Sequence, residues 1–291
     1  MAITLSVGIG LKQVKTASTE VQNESFMLQT SMILDDVMRL LQTSKELDLV
    51  SGDGQTEMLY MFLSQSSFIP LEASDVKISL EIFSARGKLN LNSVVDSNAS
   101  NADITAQRVD AIKQYVSNYN VNLAYVDILL DLMGGIKVDM SYNSDIFNQK
   151  PYLFRDYLTS DAHLQEANDF YKKTYHDNSL KNIDTSKLFY FNSDKTTKID
   201  LNYATAEVWE LILGTDRLRA EELSLNGGAY TALEDIDLND DEKLMLERFN
   251  VSYFEPYLDV TIEIIQNENV AKIHFEYDIK QKKGTNFSYE I

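Results

Sequence analysis

KLNLNSV at residues 88–94 is written again, little changed, as KIDLNYA at residues 198–204. Lysine, an aliphatic residue, Asn or Asp, leucine and asparagine recur in the same order, each 110 residues further on (198 − 88). In both copies an alternating extended piece, Leu89 and Leu91 or Ile199 and Leu201, anchors to a core and hands over to a helix-forming stretch. After the second copy, Thr205 stands where an N-cap belongs, before a helix whose apolar positions are Val208, Leu211 and Ile212. Asn202 is placed to hydrogen-bond the open amides of that first turn, and Asn90 and Asn92 to hold the exit from strand to helix in the first copy.

Outward from the two phrases lie strands. DVKISLEIF (75–83) alternates, with Val76, Ile78, Leu80 and Ile82 on one face and Lys77, Ser79 and Glu81 on the other, as a half-buried antiparallel strand does. LDVTIEII (258–265) aligns Val260, Ile262 and Ile264. A turn at QNEN follows, and KIHFEYDI (272–279) aligns Ile273, Phe275, Tyr277 and Ile279. About 150 residues between these strands read as helices, among them TAQRVDAIKQYVSNY, NLAYVDILLDLM, SDAHLQEANDFYKKTY, TAEVWELIL and DDEKLMLERF, punctuated by Gly134–Gly135, Pro151, Gly214 and Gly227–Gly228. The economical arrangement is α+β: a small antiparallel sheet laid on a long N-terminal helix, interrupted by a large α-helical insertion. The expected division is 1–96 (helix over 1–50, first strands within 75–92), 97–250 for the helical insertion, and 251–291 for the closing strands.

The front end, MAITLSVGIGLKQVK, is uncharged and mostly apolar through residue 11. Eleven helical residues rise roughly 16 Å, about half of a bilayer's hydrocarbon thickness. Two readings stand: a buried N-terminal segment, or the rear half of a membrane helix. From Val14 to about Leu49 there is neither Gly nor Pro, and apolar residues recur at steps of three, four and seven until SGDG at 51–54 stops the pattern.

A net charge of −19 sets the surface against phosphate backbones and anionic headgroups. With no cysteine, disulfides, thiolate metal sites and cysteine nucleophiles are excluded. The histidines, His163, His176 and His274, have no metal-ligand spacing, and no nucleophile-elbow, P-loop or dinucleotide glycine motif occurs. Enzyme chemistry is not expected, although carboxylate pairs in a hydrolase cannot be located from sequence.

Two resemblances bear on function. IDLNYATAEV is similar to the start of helix-hairpin-helix modules, many of which bind DNA through hairpin amides flanked by Gly-hydrophobic-Gly. Here the turn reads Gly214-Thr215-Asp216-Arg217-Leu218, one glycine and an acid, so a nucleic-acid-binding role is the weaker alternative and no nucleic-acid partner is expected. The larger resemblance runs over roughly 20–291. The hydrophobic-then-amphipathic N-terminal helix, FIPLEASDVKISLEIFSARGKLNLNSV, the helical block with VDILLDLM and KIDLNYATAEVWELIL, and the terminal FNVSYFEPYLDVTIEII resemble, in that order, the type II secretion system protein K family, the large minor pseudopilins. That resemblance implies a pilin-like domain carrying an inserted helical domain with helix-hairpin-helix-like elements. It implies no catalysis, but a place at the tip of the pseudopilus, initiating and capping the fibre with the I- and J-type minor pseudopilins in protein export across the outer membrane. It further implies an inner-membrane anchor with the globular part in the periplasm, with Ile3, Leu5, Val7, Ile9 and Leu11 as membrane and helix-packing residues. Family members can bind calcium through an acidic loop after a Leu-Leu-Asp segment. Here LLDLM (129–133) is followed by Gly134–Gly135, Asp139 and Asp145 without a dense acidic run, so no metal ligands and no cofactor are carried over.

Overall fold

The computed structural model describes residues 24–51, 55–66, 68–73, 76–95, 102–137, 139 and 141–290. The chain divides into two compact units, Met1–Ser84 with Pro256–Ile291, and Ala85–Glu255. The first unit opens with a helix over 24–43 (α1), then α2 (Lys45–Val50), α3 (Thr56–Ser66), β1 (Phe68–Ala73) and β2 (Val76–Ser84). The second runs β3 (Leu89–Asn90), a 3-10 turn (Leu91–Val94), α4 (Ala102–Asn118), α5 (Ala124–Met133), α6 (Ile146–Gln149), α7 (Asp161–Tyr175), α8 (Thr185–Leu188) and β4 (Phe189–Tyr190). It continues with β5 (Ile199–Asp200), α9 (Ala206–Leu213), α10 (Arg217–Leu225), α11 (Asp240–Leu246) and β6 (Val251–Ser252). The chain then returns to the first unit as β7 (Tyr257–Gln266), β8 (Asn269–Asp278) and β9 (Lys283–Glu290).

The first unit is an antiparallel sheet of order β1-β2-β7-β8-β9 with helices against it. Its register explains its core. Leu80 faces Ile262, which faces Ile273; Ile82 faces Val260, which faces Phe275; all six are buried. Side chains two apart share a face of the pleat, so three alternating strands lay down continuous apolar rows across the sheet. On α1, Phe26, Thr30, Val37 and Leu41 are buried at steps of four and seven, one stripe of a helix. The helix expected to run unbroken to residue 50 stops at Ser44, whose backbone is extended (φ −65°, ψ 123°) and whose hydroxyl accepts from Leu47 N, capping α2. Two further strands, β1 and β9, lengthen the sheet beyond the three read from sequence.

The second unit is helical around one continuous core, with Trp209, Tyr125, Tyr171 and Phe170 among its largest buried side chains. Tyr125 meets Tyr171 edge-on at 5.3 Å between centroids. Two short parallel pairs, β3 with β4 and β5 with β6, tie distant segments together inside the helical unit. The sequence division at 96/97 and 250/251 differs from these bounds for that reason. Leu89 and Asn90 pair with Phe189 and Tyr190, and the stretch 251–255 closes on residue 200, so both belong with the helices.

Candidate functional site

The two phrases build two matching clamps in the helical unit. In the first, Asn90 Oδ1 accepts from Asn92 N and Asn192 N, both at 3.2 Å. Its Nδ2 donates to the carbonyls of Asn192 (3.1 Å) and Asp194 (2.9 Å) and to Thr197 Oγ1 (2.9 Å). Asn92 Nδ2 donates to Leu158 O (2.8 Å) and Asn192 O (3.1 Å), and its Oδ1 accepts from Leu158 N at 2.7 Å. Both side chains are buried, and the amide's paired donor and acceptor let one residue satisfy several loop peptides.

The second copy repeats the pattern with an acid at the third step. Asp200 Oδ1 accepts from Asn202 N at 3.1 Å, the counterpart of Asn90 with Asn92, and Oδ2 accepts from Glu255 N at 2.9 Å. Its own N–H donates to Arg86 O at 2.8 Å, so residue 200 holds both ends of the helical unit's chain, just after it enters and just before it leaves. Burial pushes the Asp200 carboxyl up to about 7, against the two N–H donors, which pull it down. Asn202 Nδ2 donates to Tyr230 O (2.8 Å) and Tyr253 O (2.7 Å), and its Oδ1 accepts from Gly228 N (2.9 Å) and Tyr230 N (2.8 Å). Asn202 therefore does not bond the first-turn amides of α9; Thr205 does so alone, accepting from Val208 N at 3.2 Å. Two glycines close on this phrase: a Cβ on Gly87 would stand 2.3 Å from Tyr203 O, and one on Gly227 2.3 Å from Asn202 O. Asp200 and Asn192 were not singled out from the sequence. For Asp200 the signal was present, since it occupies the step that Asn90 occupies in the first phrase.

The turn between α9 and α10 is acidic. Gly214 ends α9 at φ 63°, and Asp216 caps α10 by accepting from Arg219 N at 2.9 Å. The Arg217 guanidinium is met by Glu207 (3.0 Å), Glu221 (2.8 Å) and, at 3.9 Å, Glu210. Tyr119 OH donates to Glu210 at 2.8 Å, and burial raises that carboxyl above its ordinary value. Such a turn offers carboxylates where a phosphate would approach.

The described residues of the loop after α5 do not fit calcium. Both oxygens of the buried Asp131 already accept from donors of that loop, and Asp139 accepts from Ser141 N and Oγ. Among the described residues, no group of three or more His, Cys, Asp or Glu side chains is placed to hold a metal ion.

In the sheet unit, α1, α2 and α3 with the edge of the sheet frame a groove of about 690 Å³, lined by Leu40, Leu49, Met58, Met61, Phe62 and Ile69 among others. Leu40, Leu49 and Met61 are exposed there; elsewhere on α1, Leu28 and Met32, one turn apart, are exposed as well. Among the described residues no helix is long and apolar enough to cross a membrane. Ile3, Leu5, Val7, Ile9 and Leu11 lie outside the described residues.

No protein-family model matches the chain. An alignment 119 residues long is 25% identical to the uncharacterized protein MG414 of Mycoplasma genitalium, covering 34% of this chain and only 11% of that much longer protein. In three dimensions, a chain of the crystal structure of the GspK-GspI-GspJ complex from the type 2 secretion system of enterotoxigenic Escherichia coli matches with a TM-score of 0.57 at 11% identity. The match covers 93% of this chain and 97% of that one. The chain thus shares its fold with a chain of that complex.

Proposed function

We propose that the chain is a minor pseudopilin of the K type, which joins I- and J-type minor pseudopilins at the tip of a type II secretion pseudopilus and there initiates and caps the fibre for export across the outer membrane. The observation that carries this reading is the fold match over 93% of the chain to a chain of the GspK-GspI-GspJ complex. The architecture supports it: α1 belongs to the same unit as an antiparallel sheet, the two elements a pilin-like domain combines, and the helical unit enters the chain between β2 and β7, adjacent strands of that sheet. In this reading the bulk of the inserted helical unit keeps a further subunit from adding at the tip. The apolar groove beside α1 is a surface suited to a neighbouring subunit's helix. In this reading Ile3, Leu5, Val7, Ile9 and Leu11 anchor the chain in the inner membrane and later pack among pilin helices, the globular part stands in the periplasm, and catalysis has no part. The helical hairpin serves as structure; its ring of carboxylates argues against a DNA-binding role.

The test is co-expression of the tagged full chain with the I- and J-type minor pseudopilins of its own organism, followed by detergent extraction, affinity capture and size-exclusion chromatography. The expected result is a single species containing all three. Elution of the chain alone at concentrations where the I and J partners bind each other would overturn the assignment, and salt-sensitive retention on DNA would favour the helix-hairpin-helix alternative.

A further inference from the structure

Asp131 sits inside the apolar run LLDLM on α5 and is 0% exposed. A bare carboxylate there would be costly, and the residues that compensate it all come from the loop that follows. Oδ1 accepts from Asn143 N (2.9 Å) and Asn143 Nδ2 (3.2 Å); Oδ2 accepts from Ser144 N and Ser144 Oγ, both at 2.7 Å. The Lys137 ammonium lies 3.7 Å from Oδ1, donates to Ser141 O at 2.9 Å, and stands 5.4 Å from the centre of the Tyr142 ring. Lys137 also donates its backbone N–H to Tyr142 OH at 3.2 Å. The ammonium is therefore held by a carboxylate, a carbonyl and an aromatic face, the kind of surroundings an acidic loop offers to a bound ion.

We propose that Lys137 is the resident cation of this loop, so that the ammonium and four protein donors organise it around Asp131 without a divalent ion. Calcium demands six to eight oxygens turned inward at about 2.3–2.6 Å. Here the Asp131 lone pairs face N–H and O–H groups, and admitting calcium would break those bonds and bring the metal against a positive charge. Two further acids of the loop direct one oxygen each to other donors: Asp139 Oδ1 accepts from Ser141, and Asp145 Oδ1 from Asn148 Nδ2 at 3.0 Å. The proposal concerns this loop alone and stands whether or not the chain assembles with pseudopilins.

The experiment follows thermal unfolding of the full chain by the fluorescence of Trp209, in excess EDTA and in millimolar calcium, beside a calorimetric titration with calcium chloride. The expected result is the same midpoint in both and no saturable heat. A midpoint raised saturably by calcium, or lowered by chelation, overturns the proposal. In the second arm, Lys137→Met lowers the midpoint by roughly 3 °C and Lys137→Arg restores most of it. Asp131→Asn removes the effect of Lys137→Met, because a neutral amide needs no cation. Additive losses from Lys137→Met and Asp131→Asn would show that the lysine does not serve the carboxylate. If either variant fails to fold, the chelator and calcium arm on the unaltered chain still decides.

Discussion

Replacing Asn202 by alanine removes four hydrogen bonds to backbone groups at once. The carbonyls of Tyr230 and Tyr253 lose their donor, and the N–H groups of Gly228 and Tyr230 lose their acceptor. Asn202 is only 4% exposed and Tyr230 is buried, so water reaches the Tyr230 groups poorly, while Gly228 and Tyr253 are half-buried. At about 1 kcal/mol for each unmet group the expected loss is about 4 kcal/mol, beyond the roughly 0.5–3 kcal/mol of ordinary substitutions. The chain has a single tryptophan, Trp209, fully buried in α9, so its fluorescence during urea unfolding reports on the helical unit. With a urea dependence of about 2 kcal/mol per molar, the midpoint should fall by about 2 M. Asn202→Asp sharpens the test. It keeps the oxygen that faces Gly228 and Tyr230 but sets a second oxygen against the two carbonyls, so it too destabilises at neutral pH and recovers in part in acid, where a protonated carboxyl can donate. A loss below about 1 kcal/mol for Asn202→Ala would mean that the four groups find other partners, and the clamp would lose its claim to hold the unit.

The first clamp predicts the same behaviour on a smaller scale. Asn92→Ala removes three bonds, to Leu158 O, Asn192 O and Leu158 N, and should cost about 3 kcal/mol by the same fluorescence assay. Asp200 makes stability depend on pH. Its carboxyl rises from 3.8 unfolded to about 7 in the fold, so the native state binds the proton more tightly. That contribution is present in full below about pH 3.8 and is lost as pH rises through about 7. The full span is worth at most about 4 kcal/mol, and urea midpoints from pH 4 to pH 8 should decline for the unaltered chain while Asp200→Asn shows no such component. Equal slopes for the two proteins would count against an ionisable group at this place. Gly227→Ala sets a Cβ 2.3 Å from Asn202 O, a backbone atom that cannot swing aside, so its thermal midpoint should drop by several degrees, while Gly135→Ala, whose nearest atom is a mobile Asp156 oxygen at 3.7 Å, tests the cost of positive φ alone.

What was legible in the sequence was what local periodicity encodes. A pleat alternates with period two, so Leu80, Ile82, Val260, Ile262, Ile264, Ile273, Phe275 and Tyr277 announce a buried face wherever their partners lie, and the register joins them into rows. Thr205 is legible as a cap for the same reason, because its acceptor and the Val208 amide lie three residues apart. Strand β9 escaped because nearly all its residues are exposed, leaving no alternation to read. Strand β1 escaped because FIPLEA carries a proline, which an edge strand tolerates but a sequence pattern discounts. The break at Ser44 is a single extended residue between two helical stretches, too small to disturb the pattern around it.

The paired phrases mark the border between the two kinds of knowledge. Sequence alone showed that Lys-aliphatic-Asx-Leu-Asn occurs twice and that each copy passes from an extended segment to a helical one. Chain closure alone decided which peptides meet the asparagines: Asn202 reaches residues 228, 230 and 253, and Asn92 reaches 158 and 192. An amide carries one acceptor and a pair of donors whatever its surroundings, but who fills them depends on segments brought together across tens of residues, and no local spacing records that.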